Sequence, residues 1–226
     1  MPSRRDIFIN GGIYHIFNKT LDKIYIFKEE KICRLFQDTV SYYRSQKADL
    51  RLSHFRELPE DIRKSKEQIL KLRKHFKIDI LGYCLMPNHF HLILKQLADG
   101  GIIRFMSDVL NSLTRYYNSL NKRKGPVFLT QFKSNMIKSN EQLKHTSRYK
   151  HLNPYSSGLI KTYEELERYP WSSFGEYLGL IEKPISNIKV IMNEFGHDRL
   201  RYKKFVLDNA EYQKTLEYVK HLEKWA

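Results

Sequence analysis

The stretch Lys77-Ile-Asp-Ile-Leu-Gly-Tyr-Cys-Leu-Met-Pro-Asn-His-Phe-His-Leu-Ile-Leu-Lys95 decides the fold. It reads as two β-strands, Lys77–Leu85 and Phe90–Lys95, joined by the turn residues Met86-Pro87-Asn88. Strand side chains alternate, so Phe90, Leu92 and Leu94 share one face and His89 and His91 share the other. Working upstream, residues 12–20 form a first strand, with Ile13, His15 and Phe17 on one side and Tyr14, Ile16 and Asn18 on the other. Between these strands, Ile32, Leu35, Phe36, Val40 and Tyr43 keep helical spacing over about 28–45. A Lys/Arg-dense insert follows at about 47–76, with a short helix opening at Leu58-Pro59-Glu60 and a solvated surface.

Downstream of the hairpin, apolar residues from Ile102 to Leu120 hold one helical face until Lys122-Arg-Lys-Gly125. Residues 127–138 then suit one or two short strands, and a helix from about Asn140 is expected to end near Asn153-Pro154. Strand, helix, strand, strand, helix, strand is the order of a ferredoxin-like α+β fold, an antiparallel sheet with helices on one face. The predicted organisation is one domain over 1–180 and a helical C-terminal extension over 181–226, which caps the domain or touches nucleic acid.

The 226 residues carry 40 Lys and Arg against 25 Asp and Glu, a formal charge of +15, while 41% hydrophobic residues supply a core. A folded, strongly basic chain points first to nucleic acid and second to an anionic membrane surface, since each cation that neutralises a phosphate releases a counterion. Two cysteines, Cys33 and Cys84, make neither a disulfide framework nor a zinc knuckle, which points to a reducing compartment. Neither a signal-peptide pattern nor a membrane-length apolar run is present, so a soluble cytoplasmic protein is expected. Phosphate-loop, nucleophile-elbow and zincin motifs are missing, which removes support for nucleotide-driven motors, serine hydrolases and zincins.

Three features carry chemistry. His89 and His91, about 6–7 Å apart by Cα on one strand face, can share a divalent cation, or they are ordinary polar residues at a strand start. Tyr149 and Asn153 are one helical turn apart, with His145 a turn earlier, so a phenol and an amide share a face. A phenol ionises near pH 10 in water and attacks well only where the acceptor phosphate is polarised. The alternative is that Tyr149 packs while Asn153 caps the helix. Finally, aromatics interleave with Arg115, Lys122, Arg123, Lys124, Lys133 and Arg148, a pattern suited to single-stranded nucleic acid.

Tyr14-His-Ile-Phe-Asn-Lys19, the segment from Gly82 to Leu94, Gly125-Pro-Val-Phe128, Ser147-Arg-Tyr-Lys-His-Leu-Asn-Pro154 and Tyr169-Pro-Trp-Ser-Ser173 occur in this order. Together they resemble the REP-associated tyrosine transposases, a group of the HUH single-strand DNA transposases, over roughly Gly11 to Gly179. The resemblance implies a metal-dependent enzyme that cleaves and rejoins single-stranded, hairpin-bearing DNA through a 5′-phosphotyrosine. It implies Tyr149 as nucleophile, His89, His91 and Asn153 as ligands of Mg²⁺ or Mn²⁺, and a prokaryotic, nucleoid-associated location. Both monomers and homodimers occur in such enzymes, with a lean here to the monomer. The sequence departs from the pattern at Lys150, where an apolar residue is commoner, and in the basic insert. The competing reading is a domesticated hairpin-binding protein that does not cut.

Overall fold

A computed structural model describes residues 7–223. Four strands, β1 (Ile13–Lys19), β2 (Ile78–Met86), β3 (His89–Gln96) and β4 (Lys133–Ile137), pair antiparallel in the order β2-β3-β1-β4. With helices α1 (Glu30–Tyr43) and α4 (Gly101–Leu120) as the crossovers, this is the expected ferredoxin-like arrangement. The β2–β3 turn is held from outside: Asn88 O accepts from Thr20 N and Thr20 Oγ1, and Pro87 O from Phe27 N. These bonds bind the hairpin tip to the chain leaving β1, which sets the end of the sheet where His89 emerges.

One face packs Phe90, Leu92, Leu94, Tyr14 and Ile16 against Ile32, Phe36 and Val40 of α1 and Phe105, Met106, Val109 and Leu113 of α4. Burying each such side chain is worth about 1.5–3 kcal/mol. At the first residue of α4 a Cβ on Gly101 would stand 2.3 Å from Lys77 O, so only glycine lets the helix approach β2 this closely. The basic insert divides in two. Helix α3 (Glu60–Leu70) buries no side chain, whereas α2 (Leu52–Arg56) packs Leu52 and Phe55 beside Tyr42 and Tyr43.

Helices on one face is met by α1 and α4, and the structure adds a layer on the other face. There Leu81, Ile93 and Ile137 of the sheet pack against α5 (Asn140–Ser156), α7 (Phe174–Leu178) and α9 (Arg199–Leu207) through Leu143, Leu152, Tyr155, Phe174, Tyr177, Tyr202 and Val206. All nine residues of β2 are buried, as expected for a strand covered on both sides. Short helices α6 (Tyr163–Glu167) and α8 (Lys189–Met192) connect the layer, and α10 (Ala210–Glu223) lies along α5. The tail caps the domain through this packing; residues 224–226 of the expected extension lie outside the described residues.

The predicted stop at Pro154 is corrected, because α5 runs on to Ser156. Proline here forfeits its own N–H bond to the Lys150 carbonyl and crowds that carbonyl with its ring, a cost confined to the last turn. Ser157 N still donates to Asn153 O, and Tyr155 is buried in the second core, which holds the final turn helical. At the other end Ser139 caps the helix by accepting from Gln142 N at 3.1 Å, while Gln142 Oε1 accepts from Lys138 N at 2.8 Å.

Candidate active site

The alternation on β3 puts His89 and His91 on the face that α5 covers, with ring centroids 5.2 Å apart. Strand order then adds a third imidazole. β1 lies beside β3 with Phe17 opposite His91 and Lys19 opposite His89, so His15 also projects to this face. Its Nε2 is 2.9 Å from His91 Nδ1, with the rings stacked at 5.1 Å. One of these nitrogens donates and the other accepts, so the contact needs at least one neutral ring. Burial, then the charge of Lys150, pushes His15 down to about 4. Burial, then His15, His89 and Lys150, holds His91 well below the usual imidazole range. His89 is lowered by burial and by Lys19. All three rings are therefore neutral near pH 7. His89 Nδ1 lies 2.8 Å from Asn88 Oδ1; donating there leaves its Nε2 lone pair to accept a hydrogen bond or ligate a metal.

Helix α5 brings the phenol. Tyr149, 36% exposed, stands edge-on to His91 with ring centroids 6.3 Å apart, and its hydroxyl donates to Glu217 Oε1 of α10 at 3.4 Å. Asn153, one turn further, is buried and is not the helix cap. Its Oδ1 accepts from Gln213 Nε2 at 3.4 Å, and the same amide donates to Tyr149 O at 3.0 Å and Ser156 Oγ at 3.2 Å. Gln213 thus ties the turn that carries Tyr149 and Asn153 to α10.

Lys150 points away from Tyr149, toward β2. It is fully buried and donates to Ser173 Oγ at 3.2 Å; a Cβ on Gly82 would stand 1.9 Å from its Nζ, so the strand makes room for the ammonium. Burial, opposed by Cys84 and Glu176, pushes its pKa down to about 7. Ser173 Oγ also meets His151 Nε2 at 2.9 Å, and His151 Nδ1 meets Tyr202 OH at 2.8 Å. A buried polar chain from β2 through α5 to α9 therefore fixes the rotation of the tyrosine helix.

The cations read from the sequence separate. Lys133, on β4 opposite Phe17, is exposed beside the histidine face. Arg115 on α4 and Lys122, Arg123 and Lys124 after it belong to the layer across the sheet, where Arg123 donates to Asn118 Oδ1 and Pro126 O. Arg148 reaches His145 Nδ1 at 2.7 Å and covers Phe205, and His145 Nε2 meets Glu141 Oε1 at 2.7 Å. Sequence reasoning passed over His15; its only signal was the shared side with Ile13 and Phe17, which says nothing of β3 until strand order is known. Gln213 and Glu217 had no motif at all.

Among the described residues, no three His, Cys, Asp or Glu side chains form a metal-holding group. No helix among them is long and apolar enough to cross a membrane.

The arrangement defines an α+β sandwich whose antiparallel sheet presents imidazoles to a tyrosine-bearing helix. A solved structure, that of a REP-associated tyrosine transposase bound to a REP hairpin, shares this fold: the TM-score is 0.53, with 82% of this chain and 90% of that chain covered at 15% identity. No family model and no curated protein matches the chain.

Proposed function

We propose that the chain is a metal-dependent tyrosine transposase or endonuclease that cleaves and rejoins single-stranded, hairpin-bearing DNA. The observation that carries this is the placement of Tyr149 against His91, inside a cluster of neutral imidazoles on a basic protein. The shared fold with a hairpin-bound transposase supports it.

Two neutral histidine nitrogens side by side, His89 and His91, suit a divalent cation, and in this reading the Asn153 amide of the tyrosine helix would join them by exchanging its contact with Gln213 for the metal. When bound, Mg²⁺ or Mn²⁺ would polarise the scissile phosphate and stabilise the leaving oxygen. In this reading Tyr149 Oη gives up its proton and attacks phosphorus in line, forming the Tyr–O–P bond as the P–O3′ bond breaks, and the departing 3′ oxygen takes up a proton to leave as a hydroxyl. The ester bond is conserved in the phosphotyrosine, so a 3′-hydroxyl reverses the attack without ATP. His15 acts on this step indirectly, by fixing the ring orientation of His91. Gln213 holds the tyrosine turn to α10.

The test is incubation with labelled hairpin DNA and Mn²⁺ or Mg²⁺, with and without EDTA, followed by mapping of any denaturant-resistant adduct. The expected result is an EDTA-sensitive adduct on Tyr149, lost in Tyr149→Phe while hairpin binding survives. Salt-sensitive binding with no adduct across a broad oligonucleotide pool would replace this reading with that of a non-cutting hairpin binder.

A further inference from the structure

Where α5 stops covering the sheet, a cavity of about 240 Å³ opens between Phe17, Asn18 and Lys19 of β1, His89 of β3, Lys133 of β4 and Leu129. Its construction follows from register. Phe17 lies between His91 on β3 and Lys133 on β4, and Lys19 lies opposite His89, so all these side chains share one face. The half-buried Phe17 ring continues the imidazole surface, 5.8 Å from His91 and 5.2 Å from His15, tilted 31° to each. The Leu129 wall is pinned: its N donates to Lys19 O at 3.0 Å, and its O accepts from Nδ2 of the buried Asn18 at 3.1 Å.

Resting on the function proposed above, we infer that this cavity receives one unpaired nucleobase of the DNA strand, next to the phosphate that Tyr149 attacks, with Phe17 as its stacking surface. Three observations select that occupant. The lining is an aromatic face closed by one aliphatic side chain, suited to a flat π-system, and every base presents one. The rim carries two exposed lysines, Lys19 and Lys133, and no carboxylate is among its described lining residues. His89 lines the cavity, its ring is 5.2 Å from that of His91, and the His91 ring is 6.3 Å from that of Tyr149, so the phosphate joined to a base held here would lie on the side of the histidines and Tyr149. The base is held by its face and its edge is left toward Leu129 and the Asn18–Lys19 backbone, which makes this a site of modest sequence preference.

The test uses the full chain carrying Tyr149→Phe, so that binding is read without cleavage. The probe is a DNA hairpin with a randomised single-stranded flank, in which an abasic site is moved through the flank one position at a time. The expected result is one flank position at which loss of the base weakens binding about tenfold, the effect of losing a base–aromatic stack. The same abasic substitution should have little further effect in Phe17→Ala, and Phe17→Trp should restore the dependence. A 5-iodouracil at that position should crosslink to Phe17. In the chain with Tyr149 intact, the position should be within one or two nucleotides of any adduct. Equal affinity for all abasic probes, or an abasic effect unchanged in Phe17→Ala, overturns the base pocket even where the Tyr149 adduct forms. A Phe17-dependent position in a chain that forms no adduct upholds the pocket and removes the cleavage reading instead.

Discussion

Replacing Lys150 with methionine tests whether a buried ammonium underlies the tyrosine helix. In water a lysine ionises near 10.5, and burial between α5 and β2 pushes Lys150 down to about 7. Between these values the unfolded chain binds more protons than the folded one, so wild-type stability rises with pH through this window. Below about pH 7 both states are protonated and the full burial penalty applies. At about 1.4 kcal/mol per pKa unit, the interval from 7 to 10.5 corresponds to an increase on the order of 3–5 kcal/mol, which Lys150→Met lacks. Methionine keeps the apolar stem, and Ser173 Oγ keeps its bonds with Tyr83 N at 3.0 Å and His151 Nε2 at 2.9 Å, so no orphaned hydroxyl offsets the gain. The assay is urea unfolding of both chains at pH 7, 8, 9 and 10. Burial pushes Cys33 and Cys84 up to about 12, which lowers stability above the ordinary thiol range in both chains; the Cys33 contribution cancels in the difference between the curves, whereas that of Cys84, which interacts with Lys150, is carried with it. The variant should match or exceed wild type at pH 7, and the advantage should vanish or reverse by pH 10. Parallel curves, or a variant more than about 1 kcal/mol less stable at pH 7, would refute a charged, desolvated lysine at this position.

Gln213→Ala removes three hydrogen bonds between α10 and the tyrosine turn and should cost about 1–3 kcal/mol in denaturant unfolding, with faster amide exchange in α10. Phe90→Ala empties a fully buried ring site between α1 and the sheet, where Phe36 and Phe128 are its neighbours; a loss of about 3–5 kcal/mol is expected in the same measurement. Thr162→Ala breaks the capping box of α6, in which Thr162 Oγ1 accepts from Glu165 N at 3.2 Å and Glu165 Oε2 accepts from Thr162 N. A midpoint shift equivalent to about 1 kcal/mol should follow, without change in hairpin binding.

Periodicity and turn chemistry made most of the architecture readable. The alternation of Phe90, Leu92 and Leu94 against His89 and His91 is the alternation the sheet uses, because side-chain direction in a strand depends only on position parity. The same holds for the long stripe of α4 and for the pairing of Tyr149 with Asn153 along α5. Less local features escaped. The stop expected near Pro154 falls two residues short, because Tyr155 is buried in the second core and holds the last turn helical. The insert, dense in Lys and Arg, buries Leu52 and Phe55 because the end of α1 offers Tyr42 and Tyr43.

The chain's own chemistry therefore determined which side chains can act: a histidine pair, a helix-borne tyrosine and amide, and a charge that favours polyanions. What the tertiary structure decided is which of them meet. His15 joins His91 only because β1 inserts between β3 and β4, and Phe17 becomes a platform only because that register sets it between His91 and Lys133. Lys150, one residue from the phenol, faces the opposite way because successive helical residues are turned by about 100°. Whether it is solvated or desolvated depends on Gly82, sixty-eight positions earlier, leaving space for its ammonium. Contacts between strands and across layers are fixed by packing that no local pattern encodes, and in this protein they assemble the face on which Tyr149 lies.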